Sequence, residues 1–226
     1  MSYKSVWDFG RGGNTNYSVH TIGEYPSKIK PQVFHEIVKR FSTFNDTILD
    51  PFCGCGTMAV ESKLLGRNSI NYDINPIAIE LTKTKLKALN NEEIDKAYDY
   101  FIKELEKEKD SLETNRLRKV QIDKEIKRYL QIKDQVKTIE TNHICEVKDA
   151  RYFSLEKESV HAVITDIPYA NMIKYTDLKD DLSTIEDYDK FLEEITSSFV
   201  NIWNCLKKDG YCVIFVADYR IGASRK

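Results

Sequence analysis

The sequence predicts a doubly wound, mostly parallel α/β sheet carrying a helical hairpin, and three observations support that reading. Residues 47–76, TILDPFCGCGTMAVESKLLGRNSINYDINP, run as strand, glycine turn, helix and strand, the βαβ unit from which such sheets are assembled. VHAVIT at 160–165 and YCVIFV at 211–216 read as further strands. Between the 47–76 unit and these strands, residues 91–140 hold 25 charged side chains in 50 positions, and no Gly or Pro occurs between Ile77 and Ile167. Such a stretch is a helical insertion. The expected division is an N-terminal arm with the first half of the sheet domain (1–90), the charged insertion (91–140) and the second half of the sheet domain (141–226).

Residues 1–25 contain Gly10, Gly12 and Gly13 among polar neighbours and are expected to form an irregular arm. Pro26 to Pro31 lead into a helix from Gln32 to Phe41, because Val33, Phe34, Ile37, Val38 and Phe41 share one face. Asn45-Asp46 turns the chain into the first strand, and Asp50-Pro51 ends it. Thr57 opens a helix with Met58, Val60, Leu64 and Leu65 turned inward, Gly66 stops it, and Ser69–Tyr72 forms a second strand ending at Asp73. Pro76 stands near the start of the next helix, marked by Ile77, Ile79, Leu81, Leu86 and Leu89. In the insertion, Leu105, Leu112, Leu117, Val120, Ile122, Ile126, Leu130 and Ile132 suggest a helical hairpin or short coiled coil. Its first reading is a solvated protrusion. Its second is an arm that contacts DNA or a partner through Arg116, Arg118, Lys119, Lys124, Lys127 and Arg128. His143–Val147 then forms a strand ending near Asp149, and Val160–Thr165 another that runs into Asp166-Ile167-Pro168-Tyr169. A helix over 185–206, a turn at Lys208-Asp209-Gly210 and a fifth strand over 211–216 complete the expected fold.

At 226 residues the chain can bury one good core. Its 41% hydrophobic and 31% charged content suits a soluble protein. No run approaches the ~18 apolar residues of a membrane span, and MSYKSVWDFGRGG has no apolar signal region. The net charge of -2 gives no global basic field, so a nucleic-acid surface would be a local patch. Five cysteines, an odd number, point to a reducing, cytoplasmic setting. Cys53-x-Cys55 has the wrong spacing for zinc and no second pair, so no metal is expected.

Gly54 and Gly56 let a ligand approach the backbone at the end of the first strand, and Asp73, 23 residues after Asp50, can take the two hydroxyls of a ribose. Asp166-Ile167-Pro168-Tyr169 ends a strand on the same edge. Methylation of an exocyclic amine suits it. Such an amine is a poor nucleophile because its lone pair is delocalised into the ring. The Asp166 carboxylate and the Ile167 or Pro168 carbonyl would accept its two N–H groups, and Tyr169 would stack on a base flipped out of the duplex.

DPFCGCGT at 50–57 resembles the DPFCGSGT motif of DNA amino-methyltransferases that use S-adenosylmethionine, with Cys55 in place of the serine. Asp166-Ile167-Pro168-Tyr169 is similar to their catalytic D/N/S-P-P-Y, with Ile167 in place of the first proline. His20 and the run from Tyr25 through Lys28 to Pro31 resemble the upstream segment that packs over the methionine end of the cofactor. The resemblance implies a Rossmann-like methyltransferase sheet, with Asp50, Phe52, Gly54, Gly56 and Lys28 around the methionine moiety. It places Asp73 on the ribose, Ile74 against the adenine, and Asp149 or Ala150 at the adenine amino edge. Asp166, Pro168 and Tyr169 would be catalytic. It implies double-stranded DNA as substrate, methylated at adenine N6 or cytosine N4. An RNA base methyltransferase and a non-catalytic subunit remain alternative readings. The family's sheet continues beyond its fifth strand into a hairpin that this sequence lacks. The expectation is therefore either a fragment or one half of a split enzyme with a complementing C-terminal subunit, and a restriction endonuclease is a further candidate partner.

Overall fold

The computed structural model describes residues 17–26, 28–170, 172–173 and 175–216. The glycine-bearing arm at 1–16, Ser27, Asn171, Lys174 and the chain beyond Val216 lie outside the described residues.

The strands are β1 (Thr47–Asp50), β2 (Asn68–Asp73), β3 (His143–Val147), β4 (Val160–Asp166) and β5 (Leu206–Phe215). They form one sheet in the order β3-β2-β1-β4-β5, parallel at every pairing. The helices are α1 (Pro31–Phe41), α2 (Thr57–Leu64), α3 (Pro76–Ala88), α4 (Asn91–Ser111), α5 (Arg116–Thr138) and α6 (Tyr188–Cys205). Among the described residues no helix is long and apolar enough to cross a membrane.

Helices cover both faces, which is why the central strands β1 and β4 are buried along most of their length rather than at alternate residues. Ile48, Ala162 and Ile164 pack with Phe34, Ile37 and Val38 of α1 and Met58 of α2. Leu49 and Val163, one residue on in each strand, turn to the opposite face and meet Ile202 and Cys205 of α6. Each buried Val, Leu, Ile, Phe or Met side chain among these stabilises the fold by about 1.5–3 kcal/mol.

Four helices start at residues whose side chains take an unpaired amide of the first turn. Asn75 accepts from Ile77 N, Asn90 from Glu93 N, Asn115 from Arg118 N and Asp187 from Lys190 N, each at 3.0 Å. Such a cap contributes ~0.5–2 kcal/mol, and these four fix where α3, α4, α5 and α6 begin.

Two boundaries differ from expectation. The helix expected over 185–206 starts only at Tyr188, after Asp187 caps it and a single 3-10 turn at Leu182–Thr184 precedes it. The turn expected at Lys208–Gly210 lies within β5, where the pairing with β4 jumps from Val160↔Leu206 to Ala162↔Tyr211. The extra residues are accommodated as a bulge, which keeps the strand pairing on either side.

The insertion is no free-standing protrusion. Ile94, Ala97, Tyr98 and Phe101 of α4, with Tyr129 and Val136 of α5, form a core with Val60 and Leu64 of α2 and with Tyr17 and Val19. Tyr98 Oη donates to Leu64 O at 2.5 Å, and Gln32 Nε2 donates to Tyr100 Oη at 2.8 Å. The anchoring residues are mainly aromatic and sparse, so the charge around them dominates the composition.

Candidate active site

The order β3-β2-β1-β4-β5 reverses direction between β1 and β4, and in open α/β sheets ligands bind above the carboxyl ends at that point. Asp50, Asp73 and Asp166 end β1, β2 and β4, so the topology brings three carboxylates to one crevice.

The glycine loop after β1 is held from three sides. Cys53 N donates to Tyr72 O at 2.9 Å, tying the loop to β2, and Gly54 N donates to Asp73 Oδ2 at 2.8 Å. Thr82 Oγ1 and Lys85 Nζ, from α3, donate to the carbonyls of Gly54 (3.2 Å) and Cys55 (2.9 Å). Gly56 has φ +75°, and a Cβ there would lie 2.5–2.8 Å from Thr82 side-chain atoms. Glycine is therefore required by conformation and by space.

A cleft with about 860 Å³ of empty space, counted out to its mouth, opens above this loop. Lys28, Asp50, Phe52, Gly54, Asp73, Ile74, Asp149, Asp166 and Pro168 line it together. Gly56 and Tyr169 are not in its lining. Gly56 serves as the N-cap of α2, and the Tyr169 phenol donates to Asp166 Oδ1 at 2.7 Å.

Burial sets the electrostatics. It raises the pKa of Asp50 to about 7, against the bonds from Thr165 Oγ1 (2.7 Å) and Phe52 N (3.2 Å) to Oδ1. It raises Asp73 to about 6, against bonds from Asn75 N and Gly54 N, and Asp166 to about 6, against the Tyr169 bond. Lys28 donates to the carbonyl of His20, and burial followed by the nearby Lys85 ammonium lowers its pKa. Because its folded pKa is raised, Asp50 contributes stability fully below the ordinary carboxylate range near pH 4, and that contribution is lost as pH rises towards 7. We expect urea denaturation to show wild type losing on the order of a few kcal/mol more than Asp50→Asn between pH 4 and 7. Asn keeps an oxygen for Thr165 and Phe52, so parallel pH profiles would exclude a buried, proton-binding Asp50.

The sequence reading does not anticipate the opposite wall, made by Tyr175, Thr176 and residues 180–182 between β4 and α6. Tyr175 stacks on Tyr25 with centroids 6.3 Å apart. Asp181 shapes this wall, accepting from Thr176 N and Oγ1 (both 3.0 Å), Ser183 N (2.9 Å) and Ser183 Oγ (2.7 Å). The readable signal was Asp-x-Ser, a side chain capping the amide two residues on. Arg151 is also unanticipated. It grips Asp149 through Nε (3.0 and 3.1 Å) and Nη2 (2.6 Å), Glu194 of α6 through Nη1 (2.6 Å) and the Asp180 carbonyl (3.0 Å). Asp149 therefore presents to the cleft a carboxylate already held in place by a bidentate partner.

These residues fit S-adenosylmethionine. Buried carboxylates short of counter-charge suit a ligand with a sulfonium and an ammonium. Asp73 keeps free acceptor positions after its two main-chain bonds, since a carboxylate offers about four. Gly54, at φ +48°, brings the loop backbone to the cleft, and a Cβ there would lie 3.2 Å from the Tyr25 ring.

Comparison with known proteins agrees. The chain is 39% identical over 89 residues to the type II methyltransferase M.BsoBI of Geobacillus stearothermophilus, a match covering 38% of this chain and 17% of that protein. It is 36% identical over 78 residues to the type II methyltransferase M.MjaII of Methanocaldococcus jannaschii, covering 34% of this chain and 15% of that protein. The chain thus spans less than a fifth of either relative. Among solved structures, the rRNA methyltransferase aviRa of Streptomyces viridochromogenes aligns with a TM-score of 0.46 at 14% identity, covering 88% of this chain and 79% of that one. The profile of UPF0020, RMKL-like methyltransferase domains, matches residues 24–211, most of the chain. The chain belongs to that methyltransferase domain family.

Proposed function

We propose that this chain transfers a methyl group from S-adenosylmethionine to an exocyclic base amine of double-stranded DNA, adenine N6 or cytosine N4, with the target base flipped out of the duplex. The observation that carries this reading is Asp166, a carboxylate ending β4 that lines the same cleft as Asp73 and the glycine loop. When bound, S-adenosylmethionine supplies an electrophilic methyl carbon with a neutral thioether as leaving group. Asp166 accepts one amine N–H, which directs the nitrogen lone pair away from the base plane, and then receives the proton the nitrogen sheds. Pro168, also in the lining, fixes the chain after Asp166 so that the Ile167 carbonyl is held for the second N–H. Asp73 and Gly54 hold the ribose end, and Lys28 faces the methionine carboxylate. Type II relatives support DNA as the substrate class.

Calorimetric titration of the chain with S-adenosylmethionine tests the cofactor half of the reading. Asp73→Ala removes an acceptor for two hydroxyls, at ~1.5–3 kcal/mol for each bond to a charged group. Affinity should fall about a hundredfold or more while far-UV circular dichroism stays unchanged. A folded Asp73→Ala protein that binds as tightly as wild type would place the cofactor elsewhere.

A further inference from the structure

We propose that the outward face of α5 is a phosphate-tracking surface that docks the DNA duplex, a role that rests on the DNA reading above. The hairpin is electrically polarised. α5 carries eight basic and three acidic side chains, and α4 eight acidic and four basic. Part of this charge is consumed between the helices. Arg118 binds Glu108 (2.8 Å) and also Glu125 of its own helix (3.1 Å), Lys133 binds Asp95 and Asp99 (both 2.9 Å), Lys137 pairs with Asp95, and Lys109 of α4 binds Asp123 (2.5 Å).

Arg116, Lys119, Lys124, Lys127 and Arg128 stand apart from those pairs. Among the described residues, none of the five has a carboxylate within 4.0 Å. Four are exposed and Lys119 is half-buried. At 3.6 residues per turn they fall on one side of α5, opposite the buried Ile122, Tyr129 and Val136. Arg116 and Lys119, Lys124 and Lys127, and Lys124 and Arg128 stand at spacings of three and four, where like charges destabilise a helix. A polyanion would relieve that repulsion. Asp134 is the remaining acid of this face, since Asp123 is engaged by Lys109.

Charge elsewhere in the molecule argues for the same occupant. The chain is net -2, and the cleft is lined by Asp50, Asp73, Asp149, Asp166, Asp180 and Asp181. That mouth repels a phosphate backbone, so the hold on a duplex must come from a cationic surface elsewhere. From Arg116 to Arg128 the face extends about 18 Å along the helix axis, the rise of about five base pairs. It is also rigidly backed, because Tyr129 Oη meets His35 Nε2 of α1 at 3.1 Å and Phe34 of the same helix lines the cleft.

The test is fluorescence anisotropy of the full chain with a labelled duplex at 50–200 mM salt, comparing wild type with a variant carrying Lys119→Gln, Lys124→Gln, Lys127→Gln and Arg128→Gln. Each lost phosphate contact removes about 0.9 from the slope of log affinity against log salt. The slope should fall by about 3.6, affinity should drop on the order of a thousandfold at 100 mM for every sequence alike, and S-adenosylmethionine binding should be unchanged. Lys103→Gln with Lys107→Gln, on α4, should leave the slope at the wild-type value. A variant that keeps the wild-type slope and still methylates DNA would overturn the proposal while leaving the methyltransferase reading standing, and would assign the face, with its exposed Leu117, Val120 and Leu130, to an acidic protein partner. A wild type that binds S-adenosylmethionine but shows no salt-dependent hold on DNA would remove the DNA reading itself.

Discussion

Asp166→Ala should lower methyl transfer to DNA a hundredfold or more while leaving S-adenosylmethionine affinity within about twofold. The carboxylate is placed by β4 and stands apart from the Asp73–Gly54 contact that grips the ribose end. Its loss removes the acceptor that orients a delocalised amine, an interaction worth ~10²–10³ in rate when a comparable preorganised contact is deleted. The reaction needs the ionised form. Burial has raised Asp166 to about 6, so wild-type activity should climb as pH rises through 6 and level off above it. The Tyr169 phenol, bonded to Oδ1 at 2.7 Å, acts in the opposite direction by lowering that pKa. Tyr169→Phe should therefore move the acid limb to higher pH as well as lose activity. Single-turnover assays with labelled S-adenosylmethionine read both effects. Full activity in Asp166→Ala would place the acceptor of the amine N–H elsewhere than on Asp166.

How far this was legible in the sequence depends on whether a residue acts through its neighbours in the chain. Asp50, Gly54 and Asp73 sit in one βαβ unit whose glycines and spacing announce the crevice, and all three line it. Asp166 was legible because a strand ends on it. The wall at Tyr175 and residues 180–182 was not, because it reaches the cleft through a non-local framework: Arg151, after β3, reaching Asp180 and Glu194. Arg151 has no motif around it. Tyr169 is expected from the sequence to stack on the base, whereas its phenol bonds the Asp166 carboxylate and the residue is not in the cleft lining. The hairpin was legible as helix but not as core. Its anchors are Tyr98, Phe101 and Tyr129, too sparse for a heptad pattern, and their partners lie on α1 and α2.

Those anchors end at a buried carboxylate, and Glu61→Leu should cost the fold several kcal/mol. Glu61 is fully buried. Tyr17 Oη (2.5 Å) and His20 Nε2 (2.6 Å) meet its Oε1, and His35 Nδ1 (2.8 Å) meets its Oε2. Burial pushes Glu61 well above the carboxylate range and both histidines well below theirs. A wholly neutral arrangement satisfies these contacts. Tyr17 and His20 donate to Oε1, protonated Oε2 donates to His35 Nδ1, and His35 Nε2 donates onward to Tyr129 Oη at 3.1 Å. His20 Nδ1, which has no partner among the described residues, is then a bare acceptor rather than a stranded N–H. Leucine would orphan the three groups around Glu61 at ~1–3 kcal/mol each, against a total stability of ~5–15 kcal/mol. The damage would reach the cleft, because His20 also holds Lys28 through its carbonyl. Glutamine separates this account from an ionised Glu61: its oxygen replaces Oε1 and its amide N–H replaces the Oε2 proton. Glu61→Gln should then cost under about 1 kcal/mol in urea denaturation. Equal damage from Gln and Leu would mean that the network holds a charge after all.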